Sequence, residues 1–169
     1  MENKLIALLK ENNCIHTSNN INLASGSISN TYYDIKKASG IPSLLLFIIS
    51  ELKHIIPQDS SIVAVSTGGI PYSAILSYEY KNSFAYVRDN KKTYGMNNII
   101  EGYIDFNKPI YIIDDVCTTG KSILKAKSHI IEYAKHLNIR NNLEIYLVSI
   151  INRGNNNIKI KSILELENV

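Results

Sequence analysis

The chain has 169 residues, 45% of them hydrophobic and 20% charged, which is the composition of one ordinary globular domain. Its 18 Lys and Arg residues against 15 Asp and Glu give a formal charge of +3, too small a basic excess for a nucleic-acid binder. Two cysteines cannot form a disulfide framework, and the longest apolar run, Leu44 to Ile49, cannot span a bilayer, so we expect a cytoplasmic protein without nucleic-acid or membrane partners.

The first third of the chain is predicted to be mixed in structure. Apolar residues at helical spacing predict a helix over residues 2–12. Residues 17–31 are rich in Ser and Asn and predict a loop with short extended pieces, followed by a strand at 32–35. A second helix is predicted from Pro42 to a point before Pro57, because proline is tolerated in a first turn but not inside a helix.

From residue 62 onward, predicted strands and helices alternate. This alternation predicts an α/β fold with a mostly parallel central sheet flanked by helices, in a single domain over residues 1–169. The polar segment from Arg88 to Asn98 interrupts the alternation and has the length typical of a binding loop or lid. The predicted strands are 62–65, 84–87, 110–113 and 143–151, and the predicted helices are 71–80 and 121–137.

The segment from Ile110 to Ser122 carries the strongest functional signal. A buried strand leads into the adjacent carboxylates of Asp114 and Asp115, and a hydroxyl-rich turn with Gly120 leads into a helix. Ligands bind at the carboxyl ends of parallel strands, and a helix N-terminus there suits a phosphate. Because two carboxylates would repel a phosphate but accept hydrogen bonds from sugar hydroxyls, the pattern predicts a sugar-phosphate site.

This segment resembles the ribose-phosphate-binding motif of the type I phosphoribosyltransferases: a hydrophobic strand, two acids, a hydrophobic pair and Thr-Thr-Gly. The resemblance implies that Asp114 and Asp115 hold the 2- and 3-hydroxyls of 5-phosphoribosyl-1-pyrophosphate (PRPP) and act in catalysis. It implies a central sheet of about five strands and a small hood built from about residues 1–35 and 152–169. The PRPP-binding residues that it implies here are Asp114, Asp115, Val116, Cys117, Thr118, Thr119, Gly120, Lys121 and Ser122.

The segment from Leu23 to Asp34 is similar to the Ser-Gly-x-x-Ser-Pro-x-Tyr region of the orotate phosphoribosyltransferases, which lies over the base. Asn30 replaces the proline, and Ala24 stands where many members carry a lysine. On its residues alone, the segment equally fits a loop tied by Ser and Asn side chains. The resemblance implies that the base is contacted by Ser25, Gly26, Tyr32 and Tyr33, together with Thr118.

The segment from Ser66 to Pro71 follows a buried strand and is similar to the pyrophosphate-binding loop of the same family. Gly68 and Gly69 can expose backbone N–H groups to an anion, and the resemblance makes them PRPP-binding residues. A Gly-Gly pair on its own predicts no more than a tight turn.

The segment from Tyr86 to Gly95 resembles the mobile catalytic loop of the family. Arg88 matches the arginine that contacts pyrophosphate, and Lys92 matches the catalytic lysine that reaches the active site of the other subunit. Asp89 replaces a second lysine, and Tyr94 replaces the histidine of many bacterial members, so no histidine proton transfer is assigned. We count Arg88, Lys91, Lys92 and Tyr94 among the PRPP-binding residues.

Arg153 is the last candidate, at the end of the predicted strand 143–151. The family has an Asp-Arg pair there, and its arginine contacts the orotate carboxylate, a task that suits the planar guanidinium. Asn152 replaces the acid of that pair, and a surface arginine is the alternative interpretation.

Together these segments imply an orotate phosphoribosyltransferase that uses Mg²⁺ held mainly by substrate and water, with no protein-made metal cage. They imply a homodimer whose loop 88–98 is shared across the interface. The alternatives are a type I phosphoribosyltransferase for a purine or uracil, and a non-catalytic regulator that senses PRPP. The length leaves no room for a decarboxylase or DNA-binding domain, so we expect neither.

Overall fold

A central sheet forms the middle of the fold. The structure is a computed structural model that describes residues 3–23, 26, 28–89, 98–139, 142–154 and 158–166. In this part of the chain the helices are α1 (Lys4–Glu11), α2 (Ile35–Ala38), α3 (Pro42–Ile55), α4 (Ile70–Tyr80) and α5 (Lys121–His136). The strands are β1 (Ile15–Asn22), β2 (Ile28–Tyr33), β3 (Ser61–Val65), β4 (Phe84–Val87), β5 (Ile100–Gly102), β6 (Ile110–Cys117), β7 (Ile145–Asn152) and β8 (Lys161–Glu165).

Six of the strands in the described residues form the central sheet, in the order β5-β4-β3-β6-β7-β8. All neighbouring strands are parallel except β5, which is antiparallel to β4. The predicted mostly parallel sheet is confirmed, with β5 and β8 added to the four strands that the apolar runs predict. Strand β6 lies between β3 and β7 and continues to Cys117, so the acid pair lies within its final residues.

The two faces of the sheet are buried under different helices, because successive side chains of a strand point to opposite faces. Tyr111 and Ile113 of β6 pack in a cluster with buried residues of α1, α3 and α4. Ile110 and Ile112 pack in a second cluster with Ile123 and other residues of α5. This double coverage explains why β6 reads as a continuous apolar run, and it confirms the prediction of helices on both faces.

Strands β1 and β2 form a separate antiparallel hairpin, so the short extended pieces predicted within a loop over residues 17–31 are two paired strands. Ile15 lies opposite Tyr33, and the register shifts between Thr17 and Ile21. Most side chains of β1 are exposed, so the strand lacks the alternation of apolar and polar residues from which strands are predicted.

The C-terminal part of the predicted hood also differs from expectation. Residues 161–165 join the central sheet as β8, with Val148 opposite Lys161 and with Leu164 buried. Pairing with β8 satisfies the backbone groups of β7 that would otherwise form an open sheet edge. At the other terminus, α1 packs into the core through Leu5 and Leu9. Of the predicted hood, the β1–β2 hairpin is therefore the part that forms its own sheet, outside the central one.

Three chain segments meet at one edge of the sheet, because β3, β6 and β7 are parallel and end together. They are the turn from β3 to α4, the turn from β6 to α5, and the residues that follow β7. Among the described residues, no helix combines the length and the apolar character needed to cross a membrane.

Candidate active site

A cleft of about 280 Å³ opens where β6 and β7 end, beneath the β1–β2 hairpin. Its lining brings together residues from the hairpin, from the β6–α5 segment and from the end of β7. All lining residues except Leu23 and Lys36 belong to the site predicted from the sequence. They are Leu23, Tyr32, Tyr33, Lys36, Asp114, Asp115, Val116, Cys117, Thr118, Thr119, Gly120, Lys121, Ser122 and Arg153.

The acid pair is held in place by its own backbone. Asp114 Oδ1 accepts a hydrogen bond from the N–H of Asp115 at 3.0 Å, and Asp115 Oδ1 accepts one from the N–H of Val116 at 2.9 Å. Asp114 is only 7% exposed, whereas Asp115 is half-buried. Burial, and then the neighbouring Asp115, raise the pKa of the Asp114 carboxyl well above its usual range. A buried carboxyl group in this position favours a ligand that donates hydrogen bonds to it.

The turn after the acids is shaped for an anion. Helix α5 begins at Lys121, and its N-cap residue, Gly120, has no side chain to cap the N–H groups of the first turn. Gly120 has a φ of 76°, and a side chain on it would overlap Ile158. Thr118 is half-buried and Thr119 and Ser122 are exposed, and all three of these hydroxyl-bearing residues line the cleft. This arrangement is typical of a phosphate site at a helix N-terminus.

Cys117 lies in this turn but offers little through its thiol. The side chain is 2% exposed, and burial followed by the charge of Asp114 raises the pKa of the thiol to about 11. Its carbonyl oxygen accepts a hydrogen bond from the N–H of Arg153 at 2.8 Å. Cys117 therefore contributes to the cleft mainly through its backbone.

The two glycines of the β3–α4 turn pack against the end of β6. A side chain on Gly68 would overlap the carboxylate of Asp115, and one on Gly69 would overlap the carbonyl oxygen of Ile113. This close approach is the structural reason for the glycine pair, and it places the turn beside the acid pair.

Arg153 joins the hairpin to the end of β7. Its Nη1 donates to the carbonyl of Thr31 at 3.0 Å, and its Nη2 donates to Ser29 Oγ at 2.7 Å. The guanidinium also lies 5.7 Å from the ring centroid of Tyr33. Arg153 is 3% exposed, so the surface interpretation is wrong. These hydrogen bonds use two of its five N–H donors, and Nε has no partner among the described residues.

Arg88 lies apart from this first cleft. It lines a second cleft of about 510 Å³ together with Ser66 and Thr67, on the other side of the glycine turn. Its Nη1 is 3.7 Å from Glu101 Oε1, and its backbone N–H donates to the carbonyl of Ile99. The predicted loop 88–98 thus starts and ends on the paired strands β4 and β5.

Some of the remaining predicted site residues belong to parts of the chain that the structure does not describe. Ser25, Lys91, Lys92 and Tyr94 lie outside the described residues. Gly26 is described, but it lies in a turn closed by its N–H on the carbonyl of Leu23 and does not line the cleft. Leu23, the partner of Gly26 in this hydrogen bond, lines the cleft instead.

Lys36 is the charged lining residue that the sequence motifs do not include. It follows Asp34, whose side chain caps α2 by accepting the N–H of Lys37. The sequence gives only a weak signal that Lys36 belongs to the site, namely an Asp-x-Lys spacing after two tyrosines. The same spacing is expected of a capped helix start whose lysine is merely solvated.

The donor set of the cleft fits a magnesium ion that keeps most of its own shell. Among the described residues, no three His, Cys, Asp or Glu side chains come together as metal ligands. Asp114 and Asp115 offer carboxylate oxygens beside the phosphate-type turn. Magnesium is commonly bound by one or two carboxylates, with water and substrate phosphates supplying the other ligands.

Comparison with known proteins finds relatives among the orotate phosphoribosyltransferases. The orotate phosphoribosyltransferase of Methanocaldococcus jannaschii is 39% identical over 133 residues, which are 78% of this chain and 74% of the relative. That of Pyrobaculum aerophilum is 40% identical over 106 residues, 62% of this chain but only 55% of the relative, so the match spans about half its length. No family model matches the chain.

The fold has a close counterpart among solved structures. The orotate phosphoribosyltransferase from Aeropyrum pernix superposes with a TM-score of 0.74 at 22% identity, covering 96% of this chain and 93% of that one. The likeness includes the mostly parallel sheet and its helices, which confirms the predicted type I phosphoribosyltransferase-like fold.

Proposed function

The chain belongs to the orotate phosphoribosyltransferase family, and from this membership we propose that it transfers ribose 5-phosphate from PRPP to orotate. The bond between the anomeric carbon and pyrophosphate breaks, and a bond from that carbon to a ring nitrogen of orotate forms. The nitrogen loses its proton, and the products are orotidine 5′-monophosphate and pyrophosphate. The reaction belongs to the synthesis of pyrimidine nucleotides.

The acid pair and the β6–α5 turn form the PRPP site in this proposal. Asp114 and Asp115 accept hydrogen bonds from the 2- and 3-hydroxyls of the ribose, and the turn from Thr118 to Ser122 binds the 5-phosphate. The fixed carboxylates and the uncapped helix N-terminus support this assignment. Gly68 and Gly69 bring the pyrophosphate-binding loop against Asp115, next to the reacting carbon.

Arg153 binds the orotate carboxylate in this proposal, with Tyr32 and Tyr33 over the base. A buried guanidinium with unused N–H donors is suited to pair a carboxylate, and the hairpin contacts fix its orientation. Uracil and the purines lack this carboxylate, so the arginine would discriminate against them.

The leaving pyrophosphate is stabilised at the opposite end of the site. Magnesium, when bound, neutralises charge that develops on the pyrophosphate oxygens as the bond breaks. Arg88 contacts the pyrophosphate, and Lys92, with Lys91 and Tyr94 on the same loop, completes the site and excludes water. Water must be excluded because it would intercept the activated ribose.

The observation that carries the proposal is the meeting of Arg153 with the acid pair and the phosphate-type turn in one cleft. The test is an assay of pyrophosphate release by the full chain with PRPP and Mg²⁺, with orotate, uracil, hypoxanthine and adenine in parallel. We expect release with orotate only. Faster release with uracil or a purine would assign the chain to another type I phosphoribosyltransferase activity. Tight PRPP binding without release on any base would favour the sensing regulator.

The assembly and surroundings are part of the same proposal. The chain forms one domain and a homodimer in which loop 88–98 of one subunit closes over the site of the other. Twofold dimers are the commonest assembly of soluble proteins, and Asp89 leads out of the second cleft into that loop. Cys14 and Cys117 are free thiols, in agreement with a reducing cytoplasm.

A further inference from the structure

Lys36 has an uncommitted charge in the substrate cleft. It is the second residue of α2, its side chain is exposed, and it lines the same cleft as Asp114 and Asp115. Its carbonyl accepts a hydrogen bond from Ser39 Oγ, but its ammonium group has no hydrogen bond or ion pair to any residue that the structure describes. Its charge is therefore available to a ligand in the cleft.

The neighbouring Lys37 has a different task. Its Nζ donates to the carbonyl of Asn13 at 2.9 Å and thereby ties α2 to the segment that precedes β1. Lys37 does not line the cleft. The two adjacent lysines of this short helix therefore differ: the ammonium group of Lys37 is bonded to the backbone, whereas Lys36 lines the cleft.

The backbone beside Lys36 is bonded to α4, the helix that follows the glycine turn. The carbonyl of Ile35 accepts a hydrogen bond of 2.6 Å from the hydroxyl of Tyr72, which lies fully buried in the first turn of α4. Helix α4 follows β3, on one side of β6, whereas Arg153 follows β7, on the other side. Lys36 thus enters the cleft from an element anchored near Gly68, away from the proposed orotate carboxylate site.

The charges of the cleft leave a place for this lysine. PRPP is a polyanion, and it must bind beside Asp114 and Asp115. Among the described residues that line the cleft, the other two cations are Lys121, on the proposed 5-phosphate turn, and Arg153, tied to the hairpin. The ammonium group of a lysine is compact and lies on a flexible side chain, so it can pair with any of the oxygens of a pyrophosphate. It is less suited to a single carboxylate held in one orientation.

We propose that Lys36 is a further substrate-binding residue, whose ammonium group binds pyrophosphate oxygens of PRPP on the Gly68 side of the cleft. This inference rests on the proposed function and adds a contact to it. Because Lys36 is exposed in the free protein, its attraction to a polyanion also weakens as salt screens it.

The test compares four proteins: the wild type, Lys36→Gln, Lys36→Arg and the matched control Lys37→Gln. KM for PRPP and KM for orotate are measured at low and moderate salt. Binding of inorganic pyrophosphate with Mg²⁺ is measured separately by calorimetry, which needs no turnover. Tm is recorded for each variant.

We expect Lys36→Gln to raise both KM for PRPP and Kd for pyrophosphate roughly tenfold, the effect of losing one charge-assisted hydrogen bond. KM for orotate and Tm should change little, and Lys36→Arg should restore most of the affinity. Lys37→Gln should match the wild type in both affinities, whatever its effect on Tm.

Other outcomes separate the two proposals. Unchanged pyrophosphate affinity in Lys36→Gln overturns the inference, and a rise confined to KM for orotate moves the contact to the base. If the wild type fails to use orotate but Lys36→Gln still weakens pyrophosphate binding, the proposed function is wrong and the lysine contact stands.

Discussion

The carboxylate of Asp115 occupies the space that a side chain on Gly68 would need. The two residues belong to different turns, and their contact joins the acid pair on β6 to the glycine pair after β3. The structure thereby couples the part of the site proposed for ribose to the part proposed for pyrophosphate. A change as small as one methyl group at Gly68 must move one of the two.

Gly68→Ala tests this coupling. Because the added Cβ forces the Asp115 carboxylate from its position, we expect kcat/KM for PRPP to fall by about 100-fold, the cost of misplacing a catalytic group by about 1 Å. Gly40→Ala is the control, since a Cβ there meets the carbonyl of Lys37 only at 3.4 Å. Steady-state kinetics measure the loss of kcat/KM, and a structure of the variant shows whether the Asp115 carboxylate has moved. Wild-type kinetics in Gly68→Ala would show that Asp115 is free to move.

Asp114→Asn should stabilise the fold while it impairs turnover. The folded protein raises the pKa of Asp114, so between the ordinary carboxyl range and the raised pKa it holds a proton that the unfolded chain has lost. The stability of the wild type therefore falls as pH rises through this window, whereas an asparagine side chain has no proton to lose. We expect the Asp114→Asn variant to gain about 1 kcal/mol at pH 8, or roughly 2–4 °C in Tm.

The same advantage should shrink toward pH 4, where the carboxyl is protonated in both states. Thermal unfolding across this pH range measures it. Asp59→Asn is the control, because the side chain of Asp59 is 85% exposed and paired only with Lys108 at the surface. A gain from Asp114→Asn that does not depend on pH would contradict the assigned cause.

Arg153→Ala should weaken orotate far more than PRPP. Loss of the partner of a desolvated carboxylate costs roughly 2–5 kcal/mol, and Arg153→Lys should not restore it because one ammonium cannot replace the bidentate group. KM values for both substrates are the measurement. Ser29→Ala removes the acceptor of Nη2, together with the two hydrogen bonds between Ser29 Oγ and the backbone of Thr31, but keeps the arginine. It therefore separates the positioning of Arg153 from its charge. Equal losses for orotate and PRPP would argue against a carboxylate contact.

Subunit mixing tests the shared loop. One inactive variant carries Lys92→Ala, and the other carries Asp114→Asn with Asp115→Asn. If the loop acts across the interface, one active site of a mixed dimer contains the substitutions of both variants. The other active site of that dimer contains none of them. Activity should then return to about a quarter of the wild type, because random exchange makes about half of the dimers mixed. No recovery despite demonstrated exchange would mean that the loop serves its own subunit.

The sequence alone determined the features that a short stretch of chain can encode. The apolar runs of β3, β4, β6 and β7 are continuous because both faces of the sheet are covered, so they were predictable. The segment from Ile110 to Ser122 was predictable for a similar reason. Its strand, acids, glycine and helix start lie within thirteen consecutive residues, and their chemistry depends little on the rest of the chain.

Tertiary structure alone decided which distant segments complete the site. The contact between Arg153 and Ser29 joins residues 124 positions apart. Strand β1 lacks the alternation of apolar and polar residues that would predict its pairing with β2. Lys36 enters the cleft because the backbone before it is bonded to Tyr72, 37 residues away from Ile35. Such contacts arise when packed elements bring distant polar groups together, and no local period in the sequence records that arrangement.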